Sequence, residues 1–223
     1  MKKNLILLIF LIVFISFIGC SINNQESEQN MLMRKVKNFE INKAKLDNLE
    51  ITYGEFKKNV QGTFTIGFEK QYLKKLNTTQ ILNIDGDEIL LKDLDDISEE
   101  KFQEYKEKME QTKEEYGVKK LERKIELSNG NYEGTLEDTK RVYSKTLEIF
   151  YQINKEPSNI LIFKVYDFKK ENNKWKITMI KESSIQIDNL NEIELKEELS
   201  KMAFNPETNQ EIKYIESINI TLE

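Results

Sequence analysis

The most reactive side chain in this sequence is that of Cys20, which is the only cysteine. Before it come a basic start, Lys2 and Lys3, and an apolar segment from Leu5 to Ile18 that Ser16 alone interrupts. A lone cysteine has no partner within the chain for a disulfide, so its thiol is left for modification or for simple packing. Because the chain contains no histidine, Ser-His and Cys-His catalytic pairs and histidine–metal sites are excluded.

The N-terminal segment has the three-part layout of a secretory signal peptide, and its apolar stretch is short for a transmembrane helix. The closing residues Phe17-Ile18-Gly19-Cys20 resemble the lipobox of bacterial lipoproteins, in which leucine is usual at the position of Phe17. This resemblance implies cleavage before Cys20, a diacylglyceryl thioether on its sulfur, and acylation (palmitate, for example) or another processing of its new amino group. We therefore expect a lipid-anchored chain at the extracytoplasmic face of the cell membrane.

Two other interpretations of this segment stay open. One is an uncleaved signal anchor, in which Cys20 is only a small apolar residue, although the length of the segment argues against it. The other is ordinary secretion with a free thiol. Cys20 is the one site residue that we predict, as the lipidation site. No set of residues in the sequence indicates a catalytic centre, a cofactor or a metal.

The charge of the chain excludes one class of partner. Removal of residues 1–19 takes away two lysines and no acidic residue, which leaves 32 basic and 39 acidic side chains and a formal net charge of −7. Lysines alternate with glutamates along the chain, a pattern typical of a solvated surface of mixed sign. A nucleic-acid partner would need a concentrated basic face, so we expect none.

The predicted organisation has four parts: a signal peptide at 1–19, a lipidated tether at 20–33, an α+β domain at 34–192 and a C-terminal extension at 193–223. The tether is polar from Ser21 to Asn30 and contains no aromatic residue, so it lacks the apolar surface to order itself. As a flexible coil it would reach roughly 20 Å.

Four helices are predicted ahead of the strands. Apolar residues at helical spacing run from Met31 to Leu46, and a capping box at Thr52 and Glu55 opens a short helix. A third helix is expected around 68–76. The clearest helix runs over 98–116, where one apolar stripe is typical of a face laid against a sheet.

After Gly117 the apolar period changes from helix to strand. Four long strands joined by tight turns predict an antiparallel meander with one packed face and one largely wet face. In the last of these strands Trp175, Ile177 and Met179 are expected to point inward. The extension is expected to form a helix over 193–203 and a strand that either pairs with a sheet edge or packs beside it.

The closing hairpin of this meander reads Lys164-Val165-Tyr166, then Asn173-Lys174-Trp175-Lys176-Ile177. With helices first and this hairpin after them, the chain resembles the NTF2-like superfamily, which includes many small bacterial lipoproteins. The resemblance implies N-terminal helices packed on a curved sheet that wraps into a cone and leaves a pocket. Members of the superfamily include isomerases, dehydratases and non-enzymatic binding modules. No catalytic residue of such members maps onto a position here.

Two charged clusters have a functional and a simpler interpretation. The first is a cluster of acidic residues on both sides of Gly86, which suggests a calcium site: Asp85, Asp87, Glu88, Asp93, Asp95 and Asp96. Because their spacing does not match the EF-hand pattern, we interpret the cluster as a turn and helix start with solvated acidic side chains. Lys140, Arg141 and Lys145 lie near two tyrosines and suggest an anionic or sugar ligand. We interpret them instead as the wet face of a strand.

Our functional prediction is a membrane-anchored binding or assembly module whose ligand, a small molecule or a protein, is not readable from the sequence. The alternatives are a solute- or envelope-polymer-binding lipoprotein and an enzyme of the cone fold that uses Asp, Glu or Tyr. Catalysis is the less favoured, because without histidine and a free thiol few nucleophiles and bases remain.

Overall fold

The computed structural model describes residues 27–222 except 80, 85–86, 96, 116, 131, 135–137 and 206, so Cys20 and the predicted signal peptide lie outside the described residues. The helices in this part are α1 (Glu28–Asp47), α2 (Tyr53–Val60), α3 (Ile66–Thr79), α4 (Glu99–Glu115) and α5 (Glu192–Ala203). The strands are β1 (Ile81–Ile84), β2 (Asp87–Leu90), β3 (Val118–Ser128), β4 (Tyr132–Glu133), β5 (Thr139–Gln152), β6 (Ser158–Glu171), β7 (Lys174–Gln186) and β8 (Tyr214–Leu222).

The fold is α+β, as the sequence predicts, with the helices packed on a curved antiparallel sheet of six strands. The order of the long strands is β7-β6-β5-β3-β8, with β4 paired to β5 and with β1 and β2 as a separate hairpin. The four strands β3, β5, β6 and β7 are the expected meander. The C-terminal strand β8 pairs with the free edge of β3, which decides between the two placements that the sequence leaves open.

The first helix begins earlier than the expected end of the tether at residue 33. Ser27 caps α1 by accepting a hydrogen bond from the amide of Asn30, and the helix starts at Glu28. Leu32 is fully buried and packs so closely on Gly130 that a Cβ there would lie 2.7 Å from a Leu32 methyl. Residues 28–33 therefore belong to the folded domain, because the apolar period that starts at Leu32 already faces the core.

The shorter helices follow the predicted local signals. Thr52 and Glu55 form both hydrogen bonds of a capping box at the start of α2. Ser98 accepts a hydrogen bond from the amide of Lys101 at the start of α4, and Gly117 follows its end with φ +68°, where a residue without Cβ is unstrained. The stripe of α4 packs on the core through Phe102, which is buried.

Helices α1, α2 and α3 cover one face of the sheet, which we call the inner face. Aromatic side chains fill much of this layer: the ring of Phe39 contacts those of Phe56, Phe64, Tyr72 and Tyr166. Edge-to-face contacts of this kind stabilise a core beyond simple burial.

The prediction that Met179 points inward is wrong. The register of β6 and β7 shifts between Asp167 and Phe168: Phe168 pairs with Ile177, but Asp167 pairs with Met179. The extra residue on β7 is a bulge, and it moves every later side chain to the opposite face. Met179 is accordingly 37% exposed, and Ile180 packs against the core instead.

The prediction of a wet outer face is also wrong at one end of the sheet. The C-terminal extension covers it there, and a second cluster forms from Tyr132, Tyr143, Val165 and Ile212. Arg141, which we interpreted as solvated, is 1% exposed. Its Nε donates to Asp167 Oδ1 at 2.6 Å, and another of its nitrogens donates to Glu207 Oε2 at 2.8 Å.

Trp175 is the only tryptophan and is 7% exposed, within the main core. We expect Trp175→Ala to destabilise the domain by about 3–5 kcal/mol, because a large aromatic side chain is lost and a cavity is left. Trp175→Phe, which keeps a ring, is expected to cost less. Denaturation followed by far-UV circular dichroism measures both, since the variants lack the fluorophore. An unchanged unfolding midpoint in Trp175→Ala would contradict the burial.

Candidate functional site

A cavity of about 670 Å³ lies between α1 and α3 on one side and the inner face of β3, β5, β6 and β7 on the other. This volume falls within the range of roughly 300–1,000 Å³ that is usual for small-molecule sites. Its lining residues are Phe39, Glu40, Lys43, Asp47, Phe68, Gln71, Tyr72, Lys75, Leu76, Arg123, Thr146, Glu148, Ile162, Lys164, Tyr166, Ile180 and Glu182.

The strand register brings charged side chains together on the sheet side of the cavity. Arg123 of β3 lies directly opposite Glu148 of β5, and Lys164 of β6 lies opposite Glu182 of β7. The distance from Arg123 Nε to Glu148 Oε1 is 2.5 Å, although the N–H does not point at that oxygen, so the contact is ionic rather than a directed hydrogen bond. Lys164 Nζ is 3.6 Å from Glu182 Oε2.

The most deeply buried of these charges belongs to Glu40, which α1 carries onto the floor of the cavity and which is 5% exposed. Lys164 Nζ donates to both oxygens of its carboxylate, at 3.0 and 3.2 Å. The hydroxyl of Tyr166 donates to the same carboxylate. A buried carboxylate needs such partners, because removing its charge from water is costly.

Two turns further along α1, Asp47 holds a second group of charges. Its carboxylate pairs with Lys43 on the same helix and lies 3.4 Å from an Arg123 nitrogen on β3. Arg123 therefore bridges Asp47 of the helix and Glu148 of the sheet. The two groups give the cavity four acidic and four basic lining residues, the fourth base being Lys75.

Burial and these contacts change the proton affinity of three side chains. Burial alone would lower the pKa of Lys164, but the carboxylates of Glu40 and Glu182 outweigh it and raise that pKa above its usual value. Burial, reinforced by Glu40, raises the pKa of Tyr166 well above its ordinary range, and the pKa of Tyr72 is raised for the same reasons. Lys164 therefore stays charged and both phenols stay neutral at physiological pH.

The remaining walls of the cavity are apolar or neutral. Phe68 and Tyr72 of α3 present adjacent rings, with centroids 5.8 Å apart, and Ile162 and Ile180 face them from the sheet. Thr146 lies on β5, and its buried hydroxyl oxygen has no hydrogen-bond partner among the described residues. Buried polar atoms are seldom left unpaired, so this hydroxyl is a natural contact for a bound polar group.

The described side chains of the two charged clusters from the sequence analysis do not line this cavity, and Asp85 and Asp96 lie outside the described residues. Lys140 pairs with Glu133, and Lys145 pairs with Glu126. Of the acidic cluster, Asp95 pairs with Lys57, and Asp93 accepts a hydrogen bond from the amide of Leu90. Among the described residues no group of three or more acidic, cysteine or histidine side chains is placed to hold a metal ion.

The residues that do line the cavity carry a signal in the sequence. Arg123 shares its strand parity with Ile125 and Leu127, which are buried on the inner face. Lys164 likewise lies on the same strand face as Ile162 and Tyr166. A charge at a position that should face the core indicates either a buried ion pair or a polar site. The alternation along β6 does not predict that Glu40 is the partner of Lys164, because Glu40 lies on a helix that is distant in the sequence.

Comparison with protein-family models, with curated proteins and with solved structures found no match. In the part of the chain that the structure describes, no helix has the length and apolar character needed to cross a bilayer.

Proposed function

We propose that this chain is a lipid-anchored, extracytoplasmic binding module that holds a small polar ligand, or a polar group of a larger partner, in the inner-face cavity. The proposal joins two parts. The lipid on Cys20 sets the location, and the cavity supplies the binding site. The sequence supports the first part and the geometry of the described domain supports the second.

The anchor rests on the residues around Cys20. A diacylglyceryl group already carries two fatty chains, which is the regime of stable membrane attachment, whereas a single chain is only marginal. Glu28, the first residue of α1, is eight residues beyond Cys20. A chain of eight residues spans at most about 29 Å even when fully extended. The domain therefore lies close to the bilayer surface.

The observation that carries the binding role is the set of paired charges that surrounds an open cavity. Buried ion pairs contribute little to stability compared with apolar side chains of similar size. If the helices served only to bury the inner face of the sheet, we would expect apolar side chains to fill this space, as they do around Phe39 and Phe56. Ion pairs kept beside an open space support a site that contacts a polar ligand.

The ion pairs around the cavity also favour a neutral polar ligand over a charged one. The buried carboxylates Glu40 and Glu148 are already paired with the half-buried Lys164 and Arg123, so a strongly charged ligand would have to break a pair. Groups that both donate and accept hydrogen bonds fit better, beside an aromatic wall for the apolar face of the ligand. This supports a neutral polar solute or an envelope polymer such as a polysaccharide.

We propose binding rather than catalysis for this site. The carboxylate of Glu40 is engaged by Lys164 and Tyr166, which leaves it poorly placed to accept a proton from a substrate. Tyr166 itself stays protonated, because burial raises its pKa. An enzyme of the cone fold would need an acid or a tyrosine with an accessible proton at this place.

The arrangement of elements supports an NTF2-like cone as the fold family. Helices precede the meander, and β7 begins at Lys174 directly after the turn at Asn172 and Asn173, both with positive φ, and continues with Trp175-Lys176-Ile177. Helix α4 and the C-terminal extension, which forms α5 and β8, depart from a minimal domain of that kind.

Cysteine labelling tests whether the cavity admits a small molecule. Ile162 lines the cavity and is partly exposed, so the thiol of Ile162→Cys is expected to react with a small methanethiosulfonate reagent in native buffer. Ile125→Cys is the matched control, because Ile125 lies on the same inner face but is buried outside the cavity. We expect the thiol at 162 to react at least about tenfold faster.

The unsubstituted protein gives the background of this experiment, since a lipidated Cys20 offers no free thiol. Equal and slow reaction at 162 and 125 would mean that the cavity is closed to solutes. The binding role would then be wrong, and docking of a partner on the outer surface would replace it.

A further inference from the structure

One end of the domain concentrates positive charge, although the mature chain as a whole is negative. The second turn of α1 and the β6–β7 hairpin meet there. The basic residues of this region, which we call the basic end, are Arg34, Lys35, Lys169, Lys170, Lys174 and Lys176. Two acidic residues, Glu28 and Glu171, lie among them, so basic residues clearly outnumber acidic ones.

Contacts and register show that these side chains share one region. Lys169 lies directly opposite Lys176 across the hairpin, and Lys176 Nζ pairs with Glu171 Oε2 at 2.7 Å, which offsets part of the repulsion between the two lysines. Burial lowers the pKa of Lys35, and the nearby charges of Lys176, Arg34 and Lys174 lower it further. Positive charges are therefore crowded in this region, and an external anion would relieve the repulsion that remains among them.

The basic end also lies where the tether joins the domain. Lys170 Nζ is 3.9 Å from Glu28 Oε2, at the first residue of α1, and 4.8 Å from the centre of the Trp175 ring. Of the basic residues, Arg34, Lys169, Lys170 and Lys174 are exposed. Since Glu28 follows Cys20 by only eight residues, an anchor at Cys20 would hold this surface near the headgroups.

We propose that the basic end docks on anionic phospholipid headgroups of the membrane that holds the lipid of Cys20, an inference that rests on the proposed anchor. Clustered lysines next to a lipid attachment point are attracted to negatively charged headgroups, and the attraction falls off within a Debye length. The lipid supplies attachment, and the basic end supplies orientation.

This orientation places the cavity on the side away from the bilayer. Helix α1 is about 30 Å long, since each of its residues adds about 1.5 Å. The basic end surrounds its start, whereas Lys43 and Asp47 of the cavity lie in its last turns. A docked domain therefore opens its cavity toward the envelope rather than toward the lipid.

Trp175 provides a probe for this contact, because it is the only tryptophan and lies at the basic end. The full lipidated chain is incorporated into phosphatidylcholine vesicles with and without phosphatidylglycerol, each with a trace of dansyl-phosphatidylethanolamine. We expect energy transfer from Trp175 to dansyl to be strong only with phosphatidylglycerol and to fall at high salt. Emission in detergent normalises each variant.

The test variant is Lys169→Gln/Lys170→Gln/Lys174→Gln. Each lysine near an anionic surface is worth about fivefold in binding, so we expect its docking equilibrium to weaken by about 100-fold. The control variant Lys155→Gln/Lys196→Gln/Lys213→Gln removes as many exposed charges elsewhere and is expected to behave as the unsubstituted chain.

The outcomes separate this inference from the anchor. A chain that enters the vesicles but transfers energy equally with either lipid, regardless of salt, would overturn the docking and leave the anchor intact. Strong binding to soluble polyphosphate without any dependence on phosphatidylglycerol would also overturn it, in favour of an anionic polymer. A chain that does not enter the vesicles would overturn both the anchor and the docking.

Discussion

Replacing Cys20 with serine is expected to move the chain from the membrane fraction to the soluble fraction while its domain stays folded. The serine oxygen is not a substrate for the thioether linkage, so the diacylglyceryl group is lost. Two fatty chains bind a bilayer stably because each buried CH₂ contributes about 0.8 kcal/mol. Without them only the weak attraction of the basic end for headgroups remains.

Fractionation after a wash in about 1 M salt measures the effect, because the Debye length there is about 3 Å and charge attraction is screened. Ser21→Ala is the matched control, since it changes the next residue and keeps the thiol; it is expected to stay in the membrane fraction. Recovery of Cys20→Ser in the washed membranes, at the gel mobility of the unsubstituted protein, would refute the anchor.

Lys164→Met is expected to destabilise the domain by about 3–5 kcal/mol, the cost of leaving a buried charge without its partner. Glu40 would keep the hydrogen bond from Tyr166 but lose both contacts with Lys164. Chemical denaturation of the variant and the unsubstituted chain measures the difference in unfolding free energy. An unchanged midpoint would mean that water already solvates Glu40.

Two companion variants separate this effect from others. Glu40→Gln/Lys164→Met removes the stranded charge and is expected to recover most of the loss, while Lys101→Met breaks an exposed pair with Glu104 and is expected to leave the stability nearly unchanged.

The pH dependence of the Lys164→Met effect follows from the raised pKa of Lys164. A raised pKa means that the ammonium stabilises the fold fully below its unfolded value of 10.5. We therefore expect the difference between the two chains to hold across neutral pH and to shrink as the pH rises through the folded-state pKa.

Local signals in the sequence predict most of the elements. The capping box at Thr52, the glycine after α4 and the alternation in β3 each depend on neighbouring residues, and the structure has the corresponding helix starts, ends and strands. The predicted tether boundary at residue 33 lies too far along the chain, because the polar composition up to Asn30 hides a helix start that packing on Gly130 and the core stabilises.

The cavity depends on relations that a single segment does not contain. Glu40 and Lys164 are separated by 124 residues, and only the assembled fold brings them to 3.0 Å. The bulge that turns Met179 outward leaves the alternating pattern on either side intact, so parity assigns the wrong face beyond it. The burial of Arg141 depends on Glu207 of the C-terminal extension, another long-range contact.

The proposed location and the docking of the basic end both depend on the lipid anchor. The most direct test of this anchor is mass spectrometry of the protein isolated from its own membranes. We predict that the N-terminal peptide begins at Cys20 and carries the mass of a diacylglyceryl group on sulfur, with its amino group acylated or otherwise processed. A peptide that begins at Met1, or one that contains an unmodified Cys20 thiol, would contradict the anchor.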